Sequence, residues 1–251
     1  FHYSKGMTKI VYSAKVKLGQ NTQDKYPDLP FATGRVIDEL MYRHWDEWDD
    51  YMYSHIFYQE YSDENPMGPA MDIMMGEKYD SPLSPFGGSE EYSISPDGNK
   101  IAYTCKRMNG KEYSKSTNSD IYVYDLQSGE VKNVSEQNVG YDKVPVFSND
   151  GSKLAWSSMA TPGYESDKNT ILVYEFMTMM TTDVLKKHDM SADHVTWNEK
   201  DDELYFTSGI NATFHLFSYD LSKNKLRQIT KGRCNFSGFT LAGKTAFAQR
   251  S

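Results

Sequence analysis

The sequence predicts an all-β fold, namely a β-propeller of four-stranded antiparallel blades. The 251 residues cover about four blades, and we expect them to be part of a larger ring. The stretch from Tyr92 to Val134 has the pattern of four short strands joined by tight turns, and this pattern recurs over 144–184 and 192–230. Equivalent strand residues, such as Ile101 and Leu154, follow one another at intervals of about 50 residues, close to the roughly 40–50 residues of a propeller blade.

Turn and strand chemistry supports each element of the best-defined blade. Ser95-Pro96-Asp97-Gly98 predicts a tight turn, because proline presets φ and glycine tolerates the chain reversal. Strands are predicted at 101–105 and 121–126, where β-branched and aromatic residues concentrate, and at 131–134 after a Gln-Ser-Gly turn. The predicted blades are 1–79 with an insertion at 14–53, 80–134, 135–184, 185–230 and an incomplete 231–251.

Both ends of the chain read as the interior of a blade. Residues 3–13 match the turn and second strand of the 92–134 copy, and 236–251 reads as two strands. Because an open arc leaves sheet edges unpaired, we expect a fragment of a longer protein. The alternative is a homodimer in which two arcs close one ring.

The insertion interrupts the first predicted blade between its second and third strands. A short helix is predicted at 33–43, capped by Thr33, because Val36, Ile37, Leu40 and Met41 recur at helical spacing. The segment 43–51 that follows combines four acidic and three aromatic residues. Loops beyond about 12–15 residues are uncommon unless they are functional or disordered, and this one is too aromatic to be disordered.

Composition argues against several classes of partner. The net charge of −8 disfavours nucleic acid, because phosphate binding needs clustered Lys and Arg. No run approaches the roughly 18 apolar residues of a membrane span, so no membrane association is predicted. Cys105 and Cys234 fall at different places in the repeat, which favours two separate thiols over a disulfide and leaves the compartment undecided.

No cofactor and no metal are predicted. The one group that suggests a metal site is His188, Asp189, Asp193 and His194. Its spacing fits no zinc signature closely, and it lies between two predicted blades, where polar turn residues are expected.

Several segments resemble the N-terminal propeller of serine peptidases of the prolyl oligopeptidase family, in particular the dipeptidyl-peptidase and acylaminoacyl-peptidase branch of Bacteroides-like bacteria. The segments that carry this resemblance are 24–30 (DKYPDLP), 40–48 (LMYRHWDEW), 84–88 (SPFGG) and the SPDG-type turns. The resemblance implies a two-domain peptidase, in which the propeller restricts access to an α/β-hydrolase domain with a Ser-Asp-His triad. It also implies peptide substrates and a bacterial protein, for which we expect a periplasmic or secreted location, with a cytoplasmic one as the alternative.

The sequence departs from the complete family pattern in one respect. A hydrolase nucleophile needs G-x-S-x-G at a strand-to-helix turn, and no such pentapeptide occurs here. The nearest match, 87–91, lacks the last glycine and precedes a strand. We therefore expect no catalytic residue within this part of the chain, which should be inactive alone.

The acidic and aromatic segment of the insertion is the candidate substrate site. The candidate residues are Arg43, Trp45, Asp46, Glu47 and Trp48. In the related dipeptidyl peptidases, acidic side chains of a propeller insertion bind the substrate's free α-amine. Carboxylates in a partly dry pocket make strong charge-assisted hydrogen bonds to an ammonium group, and aromatic rings add cation–π attraction. The alternative is that the tryptophans attach the insertion to the propeller while the acids stay solvated and Arg43 pairs with one of them.

Two other functional classes stay open. One is a free-standing propeller that serves as a protein-binding scaffold. The other is a propeller enzyme with acids in its central channel, but the repeated Asp97, Asp150 and Asp201 are explained by turn chemistry. The pair Glu90-Glu91 resembles the paired glutamates of dipeptidyl peptidases, yet its neighbours favour the start of a strand. Methionines 177, 179 and 180 are predicted to pack between blades.

Overall fold

The strands of the computed structural model, which describes residues 1–243 and 245–251, are antiparallel in every paired ladder. In chain order they are β1 (His2–Tyr3), β2 (Lys9–Lys17), β3 (Arg43–His44), β4 (Glu47–Trp48), β5 (Met52–Ser62), β6 (Asn65–Asp72), β7 (Tyr92–Ile94), β8 (Lys100–Cys105), β9 (Asp120–Asp125), β10 (Val131–Asn133), β11 (Asp142–Phe147), β12 (Lys153–Ser158), β13 (Thr170–Glu175), β14 (Met180–Asp183), β15 (Asp193–Trp197), β16 (Glu203–Ile210), β17 (Thr213–Asp220), β18 (Lys225–Gln228), β19 (Phe236–Ala242) and β20 (Thr245–Arg250). The helices are α1 (Thr22–Lys25), α2 (Gly110–Lys115) and a 3₁₀ turn, Ser89–Glu91.

Four sheets contain four strands each. Their orders are β1-β2-β5-β6, β7-β8-β9-β10, β11-β12-β13-β14 and β15-β16-β17-β18, and β19-β20 follows as a two-stranded sheet. The first strands of successive sheets contact one another: β1 contacts β7, β7 contacts β11, and β11 contacts β15. This arrangement of consecutive antiparallel sheets around their first strands confirms the predicted propeller fold.

The core consists of layers between neighbouring sheets. Along β8, Ile101 and Tyr103 pack toward the first sheet, whereas Ala102 packs toward the third. Along β12, Leu154 contributes to the layer with the second sheet and Ala155 to the layer with the fourth. Alternate residues of a strand point to opposite faces, so a central strand that is apolar throughout supplies two layers at once.

The two ends of the sheets differ. We call the end that carries the turns between first and second strands the turn rim; its turns are 4–8, 95–99, 148–152 and 198–202. The opposite end carries the longer connections between second and third strands, and we call it the loop rim. The three long connections between second and third strands are 18–51, 106–119 and 159–169.

Two sequence predictions about local structure are wrong. Residues 33–43 form no helix; the backbone N–H of Val36 donates to the Thr22 hydroxyl instead, and the single helical turn of the insertion is α1. The apolar residues of 33–43 stay about half exposed, and a short amphipathic helix without a surface to pack on is marginal. Methionines 177, 179 and 180 do not pack between sheets, because they lie exposed at the β13–β14 turn.

Candidate functional site

The insertion lies on the loop rim as an extension of the β2–β5 hairpin. The two strands pair without interruption from Lys9 opposite Glu60 to Lys17 opposite Met52. The Leu18 N–H then donates to the Tyr51 carbonyl at 2.9 Å and closes the base of the insertion. Its bounds in the structure are therefore 18–51, shorter at both ends than the predicted 14–53.

Local contacts hold the first half of the insertion. Asn21 and Asp24 form a capping box at α1, in which each side chain accepts from the other residue's backbone N–H. Lys17 forms an ion pair with Asp24. Gly19 is required at the base, because a Cβ there would lie 2.5 Å from the Tyr51 ring.

The second half of the insertion is a small hairpin, β3–β4. Arg43 pairs with Trp48 and His44 with Glu47, which leaves Trp45 and Asp46 as the two-residue turn. Trp45 has a left-handed backbone, φ 54°, as such tight hairpin turns require. The acidic and aromatic residues of the sequence motif are therefore spread over the turn and the strands of this hairpin. Their side chains do not converge on one point.

Two arginines contact the Trp48 ring. The guanidinium of Arg35 lies 4.2 Å from the Trp48 ring centroid and that of Arg43 lies 5.1 Å from it. Arg35 also pairs with Asp50, with Nε 3.3 Å from Oδ1. Arg43 donates to the Trp45 carbonyl at 2.9 Å. The hairpin is thus cross-linked internally, and Asp50 is neutralised by an arginine that no sequence motif singled out.

The hairpin stands between two cavities, which we call the insertion cavity and the axial cavity. The insertion cavity has a volume of about 870 Å³, and the axial cavity, at the loop-rim ends of the first strands, one of about 1430 Å³. Glu47 and Trp48 line the insertion cavity, whereas Trp45 lines the axial cavity and contacts the Phe86 ring edge-on, with centroids 5.5 Å apart. Asp46 lines neither cavity.

The insertion cavity has an acidic wall that sequence reasoning missed. Asp80 lines it with a carboxylate that accepts the Ser54 N–H at 2.7 Å and lies 3.6 Å from Lys15 Nζ. Burial raises the pKa of Asp80. Burial and the negative charges of Asp49 and Asp80 raise the pKa of Tyr53 to about 12. Asp49 and Asp80 therefore place negative charge at a partly dry wall, where Lys15 already pairs with Asp80.

Glu91 is a buried carboxylate on the axial cavity. Its Oε2 accepts the Leu83 N–H at 2.7 Å, and burial raises its pKa to about 7. The contact ties the segment that carries Phe86 to the start of β7. Glu90 is exposed, its Oε1 accepts the Gly88 N–H at 3.1 Å, and it lines the axial cavity together with Glu91. Both belong to the 3₁₀ turn directly before the strand.

Hydrogen bonds join the other loop-rim connections. Lys106 Nζ donates to the carbonyls of Tyr113 and Ser116 and lies 4.0 Å from the Tyr113 ring centroid. The Gly163 N–H donates to the Thr117 hydroxyl at 2.8 Å, which links the second connection to the third. Tyr113 lines both cavities, so this network also shapes the site.

Among the described residues, no three His, Cys, Asp or Glu side chains come together as a metal site. Neither α1 nor α2, the α-helices of the described part of the chain, is long and apolar enough to cross a membrane. Cys105 and Cys234 are buried free thiols, as predicted.

Comparison with known proteins connects this architecture to peptidases. No protein-family model matches the chain. The chain is 40% identical over 250 residues to dipeptidyl-peptidase 5 of Porphyromonas gingivalis and 38% identical over 248 residues to that of Porphyromonas endodontalis. The resemblance to the prolyl oligopeptidase family is confirmed. The alignments cover 100% and 99% of the chain but 36% of each relative, so the chain spans about a third of their length.

Solved structures agree on the propeller fold. The chain superimposes on the acylaminoacyl peptidase of Pyrococcus horikoshii with a TM-score of 0.65 at 15% identity, covering 99% of this chain and 34% of that one. An acylaminoacyl peptidase in complex with Z-Gly-Gly-Phe-chloromethyl ketone gives a TM-score of 0.66 at 14% identity, with coverages of 99% and 34%. At these identities, the likeness supports the propeller architecture alone.

Proposed function

We propose that this propeller is the non-catalytic domain of a serine exopeptidase, in which it gates access and anchors the peptide's N-terminus. Hydrolysis is assigned to an α/β-hydrolase domain elsewhere in the same polypeptide. Two observations support the assignment: the relatives are dipeptidyl peptidases of which this chain spans about a third, and the 251 residues contain no G-x-S-x-G pentapeptide. This part of the protein is accordingly inactive alone.

The insertion cavity is the proposed anchor for the substrate's α-ammonium group. The observation that carries the proposal is its partly buried acidic wall, where Asp80 and Asp49 lie close enough to perturb Tyr53. Glu47 adds a carboxylate from the hairpin, and the Trp48 ring provides an apolar neighbour. An ammonium group here would receive charge-assisted hydrogen bonds, which are stronger than those between neutral groups.

The axial cavity is the proposed passage for the peptide. It lies at the loop-rim ends of the first strands, where Glu91, Lys143 and Asp193 line it together with Trp45 and Phe86. The hairpin separates it from the insertion cavity, so a peptide whose amine reached the insertion cavity would cross the hairpin. Its chain would then extend past the Trp45–Phe86 pair.

The test is a kinetic comparison in the full-length protein with peptides that carry a free or an acetylated N-terminus. Asp80→Asn should raise KM for the free peptide by about 30-fold, equivalent to about 2 kcal/mol for a lost buried charge contact. Glu47→Gln, at an exposed side chain, should raise it by up to about fivefold, equivalent to about 1 kcal/mol. They should leave KM for the blocked peptide unchanged. Asparagine at position 80 can still accept the Ser54 N–H, which limits structural damage.

Asp46→Asn is the matched control, because Asp46 lies on the same hairpin but lines neither cavity. It should leave both KM values unchanged. Equal effects of Asp80→Asn and Glu47→Gln on free and blocked peptides would show that these acids are structural and would refute the anchor.

A further inference from the structure

The β13–β14 turn exposes three methionines on four consecutive residues. Met177 is 90% exposed, Met179 67% and Met180 66%. The turn is well formed, because the Met179 N–H donates to the Glu175 carbonyl at 2.8 Å and the Thr178 hydroxyl donates to the Glu175 carboxylate at 2.8 Å. These side chains do not pack in any layer of the core, so core packing does not explain why these residues are methionines.

The equivalent turns of the neighbouring sheets provide an internal comparison. The β9–β10 turn has Gln-Ser-Gly-Glu at 127–130, and the β17–β18 turn has Ser-Lys-Asn-Lys at 222–225. Gly129 and Asn224 occupy the left-handed position there, with φ 74° and 49°. Met179 occupies it in the methionine turn with φ 57°. Glycine and asparagine tolerate this conformation, whereas a longer side chain adopts it at a cost.

The methionine turn thus has thioether side chains at exposed positions where the neighbouring turns have mostly polar residues. One of them, Met179, has a backbone conformation that a long side chain disfavours. Thioether sulfur is a soft ligand that selects soft cations such as Cu(I) over the hard cations that carboxylates prefer. Three thioethers on one reversing turn can reach a common point, because the methionine side chain is unbranched and flexible. The Glu175 carboxylate adds negative charge beside them.

We propose that the methionine turn binds a soft monovalent cation of the Cu(I) class through the sulfur atoms of Met177, Met179 and Met180. Binding involves no change of oxidation state. The site lies at the outer edge of the third sheet, apart from both cavities, and does not depend on the proposed peptidase function.

The test uses Ag(I), a redox-inert probe of the same chemical class, with the full-length protein labelled at the methionine methyl carbons. Titration should shift the methyl resonances of the three turn methionines together, with saturation at one equivalent. The triple variant Met177→Leu, Met179→Leu and Met180→Leu should lose that equivalent, and each single variant should bind at least about tenfold more weakly. Leucine keeps the apolar surface, so the loss isolates the sulfur chemistry.

Met67→Leu, Met71→Leu and Met75→Leu form the matched control, because these methionines are also exposed but are spread over a strand and its following turn. This control should bind Ag(I) as the unmodified protein does. The proposal is overturned if Ag(I) leaves the three turn resonances unshifted, or if the leucine triple variant binds the same equivalent with unchanged affinity. Either result would also favour an apolar role for the turn, such as contact with another protein.

Discussion

The Asp201 carboxylate binds the backbone of Asn149 in the adjacent sheet. The Asn149 N–H donates to Asp201 Oδ1 at 2.8 Å, and the Asp150 N–H donates to Oδ2 at 2.9 Å. The Asn149 side-chain amide donates to Oδ1 at 2.7 Å. Asp201 is buried, and through these bonds it joins two neighbouring turns of the turn rim. An aspartate that the sequence assigns to its own turn therefore also connects two blades.

Asp201→Asn should lower the free energy of unfolding by about 1.5–3 kcal/mol, because the amide nitrogen would face a backbone N–H where a carboxylate oxygen now accepts. Asparagine tolerates the left-handed backbone at this position, φ 57°, so the substitution tests the contact and not the conformation. Urea denaturation provides the measurement. The neighbouring Asp202→Asn, at an exposed side chain, should change stability by less than about 0.5 kcal/mol. Equal effects would contradict a role for the inter-blade contact.

Glu91 should make stability depend on pH. Burial raises its pKa from an ordinary 4.5 to about 7, with Glu90 adding to the increase, while the Leu83 N–H and Lys143 oppose it. The folded protein then holds a proton that the unfolded chain releases between these values. This stabilisation is complete below about pH 4.5 and is lost as the pH rises through about 7.

The ionisation of Glu91 should lower the free energy of unfolding of the unmodified protein by up to about 3 kcal/mol between pH 5 and 8. Glu91→Gln should lack this contribution. The glutamine oxygen can still accept the Leu83 N–H. The difference between the two proteins, followed by urea denaturation across pH, removes contributions from other groups, such as Asp142, that titrate in the same range. Parallel pH profiles would show that Glu91 does not titrate there.

Gly19→Ala should loosen the insertion, because the added Cβ would lie 2.5 Å from the Tyr51 ring at its base. We expect faster proteolytic cleavage within 18–51 and a weaker effect on the rest of the propeller. Gly34→Ala is the control within the same insertion, since a Cβ added at Gly34 would have no neighbour within 4 Å. Identical cleavage rates for the two variants would argue that the base is not where the insertion is held.

Leu154→Ala should cost about 2–5 kcal/mol of unfolding free energy, because Leu154 is fully buried between the second and third sheets. Val131→Ala, at a side chain 37% exposed, should cost much less. Thermal or urea unfolding distinguishes the two. A small effect of Leu154→Ala would mean that this inter-sheet layer packs loosely.

Sequence periodicity predicted the strands well because each blade is specified locally, by a β-rich run and a turn with its own hydrogen bonds. At 95–98, for example, the Ser95 hydroxyl donates to the Asp97 carboxylate, a contact that the sequence of the turn alone suggests. The insertion was predicted poorly, because its conformation depends on contacts between distant residues. Arg35 pairs with Asp50 and stacks on Trp48, and no local pattern signals either contact.

The candidate site was predicted only in part for the same reason. The motif at 43–48 identified a candidate segment but neither its hairpin nor which side each residue faces, since both depend on a two-residue turn at Trp45 and Asp46. Asp80 carries no motif, and it reaches the insertion cavity because the chain after β6 returns beside β5, where the Ser54 N–H binds it. Asp80, the acid that we propose as the main ligand of the ammonium group, was therefore not predicted from the sequence.

Because β2 pairs with β5 without interruption, the insertion could be deleted or exchanged without disturbing the sheet. Lys17 and Met52 lie opposite each other at the end of the ladder, so a two-residue Asn-Gly turn could join them and leave the sheet intact. Protein engineers could exchange or delete the segment that shapes both cavities without redesigning the scaffold beneath it. Evolution has the same freedom to diversify the surface that this segment presents.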